Sequence, residues 1–392
     1  SGNIFDQDGI VLNTNFKRYT IQFNSESKVF DWLKFGNNIS LNNDIKSHGD
    51  YNIKNTLMAL PTQDVYNVDG TYAGPEGRPA WSGDIRNPVG SATVVESTTT
   101  GYNLRGGIFA ELKLMDGLTF KSSAGLKANI WYDRTWAPKY DWKPTPQDQS
   151  YLYQSANKSI TWVWDNTLNY ETVINVVHKV SAMLGTSAQE NNYDYMSGSI
   201  QNFASDLTQQ LSNGIDQVVL NGNASSWALL SYMARANYSY DGKYLATATM
   251  RRDGSSRFSK DNRWGTFFSV GGSWRVSKEA FMKPTSSWLD NLALRASYGT
   301  SGNDKLYKRN SDGSTGDEIW YAYQAYYSSD NLYGSSGYRP STIATPTLKW
   351  ESNKQFNGAI DFSLLTRVSG TVEYYTRNSS DLLYYKDLPL SA

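Results

Sequence analysis

Cysteine is missing from all 392 residues, and histidine occurs only twice, at His48 and His178. The first absence removes disulfides, thiolate nucleophiles and cysteine-based zinc sites. The second leaves two imidazoles far apart in sequence, too few to seed an ordinary metal site, so neither a metal nor a cofactor is expected. An excess of one charge is also lacking: 37 Lys plus Arg balance 37 Asp plus Glu, which gives no basic field for nucleic acid. No stretch approaches the roughly 18 to 20 apolar residues of a membrane-spanning helix. The opening residues Ser1-Gly2-Asn3-Ile4 show neither the basic nor the apolar region of a signal peptide. A spanning strand is not excluded by these absences, because it needs an apolar residue only at every second position. Catalytic signatures are missing as well. There is no nucleophile elbow, P-loop or dinucleotide fingerprint, and Gly299-Thr300-Ser301-Gly302-Asn303 lacks the final glycine of the elbow.

What the chain has is aromatic residues, 14% of the total with 28 Tyr and 13 Trp, on a polar background of mean hydropathy −0.56. Side chains with an apolar body and a polar tip suit membrane interfaces and sugar-binding surfaces. Alternation of period two recurs from end to end. Leu33, Phe35, Ile39 and Leu41 alternate with Lys34, Gly36, Asn38 and Ser40; Leu104, Ile108, Ala110, Leu112 and Leu114 face away from Arg105, Glu111 and Lys113. Runs of this length exceed the five or six residues of an ordinary strand and match the roughly nine to eleven that a tilted membrane strand needs.

About twelve such strands are expected, near residues 15–24, 30–43, 102–114, 118–132, 158–171, 177–190, 228–240, 243–252, 265–276, 290–300, 353–365 and 368–377. Their connections alternate. Short turns at Ser25 to Val29, Met115-Asp116-Gly117, Thr172 to Val176, Asp241-Gly242 and Thr366-Arg367, with a longer one from Ser277 to Leu289, alternate with long polar segments. Those run from Asp44 to Gly101, Asp133 to Asn157, Asn191 to Trp227, Asp253 to Trp264 and Ser301 to Ser352. No linker divides the chain. An antiparallel up-and-down transmembrane β-barrel, all-β, with short periplasmic turns on one rim and long external loops on the other, accounts for this pattern. Aromatics near strand ends fit an interfacial girdle: Trp131, Tyr132, Trp162, Trp164, Tyr238, Tyr240, Tyr244, Trp274, Tyr298, Tyr374 and Tyr375. A large β-sandwich with ordinary core aromatics is the alternative, but it would require neither long strands nor alternating loop lengths. On the polar face Arg105, Lys113, Lys121, Lys127, Arg235, Arg251, Arg275 and Arg295 are expected to face the lumen.

Several segments resemble the SusC-like (SusC/RagA) TonB-dependent transporters of Bacteroidetes: Tyr240-Asp241-Gly242-Lys243-Tyr244, Arg252-Asp253-Gly254-Ser255-Ser256-Arg257-Phe258, Asn262-Arg263-Trp264-Gly265, Leu292 to Gly299, Pro346 to Glu351, and Val372 to Tyr375 through Leu383. The resemblance implies a barrel of about 22 strands plugged by an N-terminal domain and capped by a SusD-like surface lipoprotein. It further implies an outer membrane of a Gram-negative bacterium and import energised by the TonB-ExbB-ExbD complex acting through the plug. Residues 1–392 would then be part of the barrel domain, with plug and remaining strands outside this sequence and the gene product extending on both sides. A passive porin and an outer-membrane or glycan-active hydrolase are the alternatives; the second would need a convergent catalytic pair that the sequence does not offer.

Two aromatic clusters are candidate substrate contacts for an oligosaccharide or oligopeptide. Trp136, Tyr140 and Trp142 fall in one expected loop, stiffened by Pro138, Pro144 and Pro146; Trp320, Tyr321, Tyr323, Tyr326 and Tyr327 fall in another. Flat amphipathic rings stack on sugars or grip peptide side chains at small entropic cost. Packing against each other or a partner lipoprotein is the competing role. Asp253-Gly254-Ser255-Ser256-Arg257 reads either as an anion-binding loop or, preferably, as a tight hairpin whose charges hold the rim. Asp317 and Glu318 read as part of a solvated loop.

Overall fold

The computed structural model describes residues 1–392 apart from 63, 75–85, 143–145, 311–313, 333–334 and 386–392, and apart from the side chains at 330–332 and 335–336. Pro144 therefore lies outside the described residues. Thirteen strands form one antiparallel sheet in the order β1-β2-β3-β4-β5-β6-β7-β8-β9-β10-β11-β16-β17. They are β1 Gly2–Asp8, β2 Asn15–Phe30, β3 Leu33–His48, β4 Glu96–Met115, β5 Leu118–Ala137, β6 Tyr151–Ile174, β7 His178–Phe203, β8 Gly214–Tyr240, β9 Tyr244–Ser255, β10 Trp264–Arg275, β11 Leu289–Asn303, β16 Glu351–Leu364 and β17 Val368–Ser380. Each pairs with its sequence neighbour except across the β11–β16 connection. That segment carries two separate hairpins, β12 Leu306–Arg309 with β13 Thr315–Ile319, and β14 Tyr326–Leu332 with β15 Ser335–Thr342. Two short helices, α1 Ile53–Met58 and α2 Pro88–Val94, lie in the β3–β4 connection.

The meander agrees with the sequence pattern, but four features depart from it, the first being that Ser25 to Val29, expected as a turn, belong to β2 and the chain turns at Asp31-Trp32, because backbone pairing continues through polar Ser25, Glu26 and Ser27. An additional strand, β1, pairs with β2. The segment from Ser301 to Ser352 is not a structureless loop. The strands are also far longer than their apolar alternation: β6, β7 and β8 run 24, 26 and 27 residues, so the segment 191–227 is mostly ladder and about half of 133–157 is. The reason is physical. Hydrophobic alternation stops where both faces of the sheet meet water, as at outward Lys158, Asn192 and Asp194, whereas backbone pairing does not depend on hydropathy and continues past it.

The short turns are tight. Asp241 and Gly242 both take positive φ (49° and 59°), and the Lys243 N–H donates to the Tyr240 carbonyl at 2.8 Å, as a primed turn requires. Gly117 closes the β4–β5 turn at φ 80°, and a Cβ there would lie 2.3 Å from the Glu171 carbonyl oxygen.

Register divides the sheet into two faces. Trp162, Trp164, Tyr170, Leu184, Tyr232, Tyr238, Met250, Phe268, Tyr298, Phe356 and Tyr374 are exposed on the apolar one. On β8 the rings of Tyr232 and Tyr240 bracket eight residues, about 26 Å of strand, close to the height of a lipid-facing band. The opposite face carries hydroxyls, amides and charges. Two residues expected in the girdle are corrected here: Trp131 pairs with Gly101 and Asn157, and Tyr375 with Asn357, so both rings belong to the polar face, because alternation assigns Tyr132 and Tyr374 to the apolar one.

Candidate functional site

The polar face is concave, and two of its clefts bear on the site. One, of about 890 Å³, lies across β2 to β5; the other, of about 850 Å³, lies across β6 to β17 and is lined by Lys179, Asn237, Thr247, Arg295 and Glu373 among others. Above the first cleft the long strands carry a ladder of aromatic, amide and hydroxyl groups, each projecting from every second residue. Trp131 and Asp133 come from β5, Tyr153, Ser155 and Asn157 from β6, and Asn191, Tyr193, Tyr195 and Ser197 from β7, with register placing them in adjoining rows.

Asp133 is the hub. It accepts from Thr99 Oγ1 at 2.7 Å, Ser155 Oγ at 2.8 Å and Asn157 Nδ2 at 3.3 Å, and His48 Nε2 sits 3.0 Å from Thr99 Oγ1. The Tyr193 hydroxyl donates to Asn157 Oδ1 at 3.1 Å, and its ring lies 6.3 Å from that of Trp131 with a 29° tilt. The Tyr153 and Tyr195 hydroxyls meet at 3.2 Å, and Tyr195 donates to Ser197. Asn191 Nδ2 donates to Thr161 and Ser159. Ser155, Asn157 and Asn191 are buried while the rings are half-exposed. The network fixes the rotamers of flat rings that still present a face to the cleft, an arrangement suited to binding the uncharged polar parts of a ligand. The Asp133 carboxylate takes three of these donors, and the Thr99 hydroxyl gives its proton to Asp133 and so faces His48 Nε2 as an acceptor. Among the described residues no group of three or more metal-ligating side chains occurs. His178 Nδ1 is 2.8 Å from the Tyr238 hydroxyl.

The eight cations expected in the lumen all fall on the polar face by register. Arg251 pairs with Asp253 and Arg295 with Asp361; Lys113 reaches Asp116, and Lys121 lies over the Phe109 ring at 4.3 Å. Arg105 and Lys127 line the β2–β5 cleft. Arg235 and Arg275 share the face.

The loop aromatics fare differently. Trp136 is not in a loop: it ends β5 on the face opposite the ladder and is 2% exposed, packed with Leu152, Ile200, Phe203 and Leu211. Its reading as a substrate contact is overturned, because the segment after β7 folds over it. Trp142 is buried as well, with Tyr140 stacked on it at 3.8 Å and Tyr72 edge-on at 5.5 Å; these rings hold the β3–β4 and β5–β6 connections together. Tyr321 donates to the Ser226 carbonyl and accepts from the Ser226 N–H, both at 2.7 Å, pinning its segment to β8. Trp320 is half-buried, and Tyr323 accepts from Gln324. Tyr326 and Tyr327 remain exposed on β14. Glu318 is not a solvated carboxylate: with Asp304 it holds Arg257, which is 4% exposed, so the Asp253 to Arg257 motif is a locked corner. The ladder is written in the sequence as Trp131-x-Asp133 and Asn191-x-Tyr193-x-Tyr195, aromatic and polar groups at every second residue on the polar face of strands rather than in loops.

Comparison with known proteins places these features. The family model described as "TonB dependent receptor-like, beta-barrel" matches residues 23–391. The chain is 28% identical over 400 residues to TonB-dependent receptor P26 of Formosa agariphila, covering 99% of this chain and 38% of that protein. It is 28% identical over 425 residues to TonB-dependent receptor SusC of Bacteroides thetaiotaomicron, covering 98% of this chain and 40% of that one. Among solved structures, that of the RagAB peptide transporter superposes with a TM-score of 0.84 at 26% identity, over 99% of this chain and 43% of the other. The chain thus spans about two fifths of the length of these relatives.

Proposed function

The chain belongs to the family of TonB-dependent receptor-like β-barrels, and from that premise we propose that its polar face walls the lumen of an outer-membrane importer in which Trp131 and Tyr193, the latter oriented by buried Asn157, contact the nutrient. The observation that carries this reading is the hydrogen-bonded ladder of half-exposed rings above the β2–β5 cleft. A wall that served only as a passive pore would have no use for oriented rings set among fixed amides. The apolar face meets lipid in the outer membrane of a Gram-negative bacterium, where β1 and β17 pair with further strands because unpaired backbone groups in lipid each cost several kcal/mol.

The exposed Tyr326 and Tyr327 of β14 lie on the outer rim, where a SusD-like lipoprotein closes over the ligand. Release inward is driven through a plug domain coupled to TonB-ExbB-ExbD. No bond in the ligand is broken. Support for a peptide cargo comes from the RagAB peptide transporter, and the ladder chemistry suits an oligosaccharide equally.

The test is calorimetric binding of oligosaccharide and oligopeptide pools to the full transporter carrying Trp131→Ala or Tyr193→Ala. Loss of about tenfold or more in affinity, near the upper range of aromatic contacts, is expected for one pool. Unchanged affinity for both pools in both variants removes the ladder from the path.

A further inference from the structure

On the polar face Arg105 of β4 stands directly opposite Lys127 of β5. Like charges in that cross-strand position repel, and a sheet keeps them only where something relieves the repulsion. Other cations of the polar face have such relief: Arg18 is held by both oxygens of Asp44, Arg251 by Asp253 and Arg295 by Asp361. Arg105 and Lys127 have no ion-pair or hydrogen-bond partner among the described residues. Both are exposed to the 890 Å³ cleft, which Lys46 also lines. The one carboxylate lining that cleft, Asp44, is consumed by Arg18 and by Asn103 Nδ2 at 3.0 Å. Arg105 and Lys127 therefore stand side by side without a counter-charge, among the amides of Asn38, Asn42 and Asn129, while Lys46 lines the same cleft about six residues further along the strands.

We infer that this cleft binds the carboxylate or sulfate groups of an acidic oligosaccharide, which narrows the substrate class of the ladder site and rests on that site's being the ligand path. Trp131 joins the two, since it lines the cleft and stacks with Tyr193. It lies four residues along β5 from Lys127, about 13 Å, so one chain can stack a ring on the indole while an acidic group two rows below reaches the cations. Amides satisfy sugar hydroxyls, and the ladder offers no free charge to pair with peptide termini.

The test uses the full transporter in detergent, with tetragalacturonate, cellotetraose and tetraglutamate as calorimetric probes against wild type, the Arg105→Gln/Lys127→Gln double variant and Trp131→Ala. Tetragalacturonate is expected to bind about tenfold more tightly than cellotetraose at about 50 mM salt, to lose most of that advantage at about 500 mM as screening shortens the reach of charge, and to lose it entirely in the double variant. Equal affinities, an advantage that survives the double substitution, no tetragalacturonate binding, or preference for tetraglutamate each overturns the inference. A double variant that loses thermal stability while ligand affinities stay fixed also overturns it, assigning the cations to plug contact. If Trp131→Ala weakens saccharide binding while the double variant does not, the ladder reading stands and the acidic-ligand inference alone falls; if neither matters, both fall.

Discussion

Replacement of Arg257 by Met should unfasten the β12–β13 hairpin. The guanidinium donates to Asp304 Oδ2 at 2.9 Å and Glu318 Oε1 at 2.6 Å and lies 4.6 Å over the Trp227 ring, while Ser255 Oγ donates to the same Asp304 oxygen at 2.7 Å. One side chain thus ties the β9–β10 corner, the end of β11 and β13. Removing one partner of a fully buried pair costs about 3–5 kcal/mol, chiefly through the charge left behind. Here the stranded carboxylates retain 14% and 21% side-chain exposure, which reduces the expected cost to about 2–4 kcal/mol. At 1.36 kcal/mol per decade, that is a roughly 30- to 1000-fold fall in hydrogen-exchange protection for amides of residues 306–319. The Arg257→Met/Glu318→Gln double variant should recover part of the loss, because one uncompensated charge is gone. Protection within about threefold of wild type in Arg257→Met, or strictly additive losses in the double variant, would refute the reasoning.

Trp136→Ala should cost about 3–5 kcal/mol as a buried aromatic truncation and open the segment at residues 204–213 to proteinase K, with ligand affinity unchanged; an affinity loss with that segment still protected would restore Trp136 to the site. Gly117→Ala should lower the urea midpoint in lipid by about 1–3 kcal/mol equivalent, since it combines positive φ with a clash, whereas Gly70→Ala, at φ 85° with open space around it, should cost only about 1 kcal/mol; equal effects would discount the clash. Glu279, in the β10–β11 connection, accepts from the Tyr244 hydroxyl at 2.5 Å and Trp274 Nε1 at 3.0 Å, and these donors hold its pKa below the ordinary 4.5. Its stabilising contribution is therefore complete above that ordinary value and lost as pH falls through the lowered one. Trp274 fluorescence should stay flat through neutral pH and change only in that acid range, and a profile identical in Glu279→Gln would rule Glu279 out as the cause.

The sheet was legible because lipid and water impose opposite demands on alternate residues, and Leu104 against Arg105 states that contrast directly. Strand length was not, since outward Lys158 and Asp194 end the hydropathic alternation while their backbones go on pairing. That the eight cations share the polar face follows from the same period. Loop aromatics misled for a different reason: a Trp beside polar residues looks exposed, and nothing local to Trp136 announces that Ile200 and Phe203 will cover it. The ladder needed register as well as period, because Trp131, Asn157 and Tyr193 become neighbours only when three strands are aligned.

From Arg105 to Glu373 the inward residues named above all carry odd numbers and the outward rings even ones. One residue inserted within a strand would turn every later side chain of that strand over, putting charge into oil and grease into water. A loop at the outer rim can gain or lose any number without touching that count. Sequence change therefore has a safe margin at the rim and, in the wall, a choice restricted to exchanging one side chain for another.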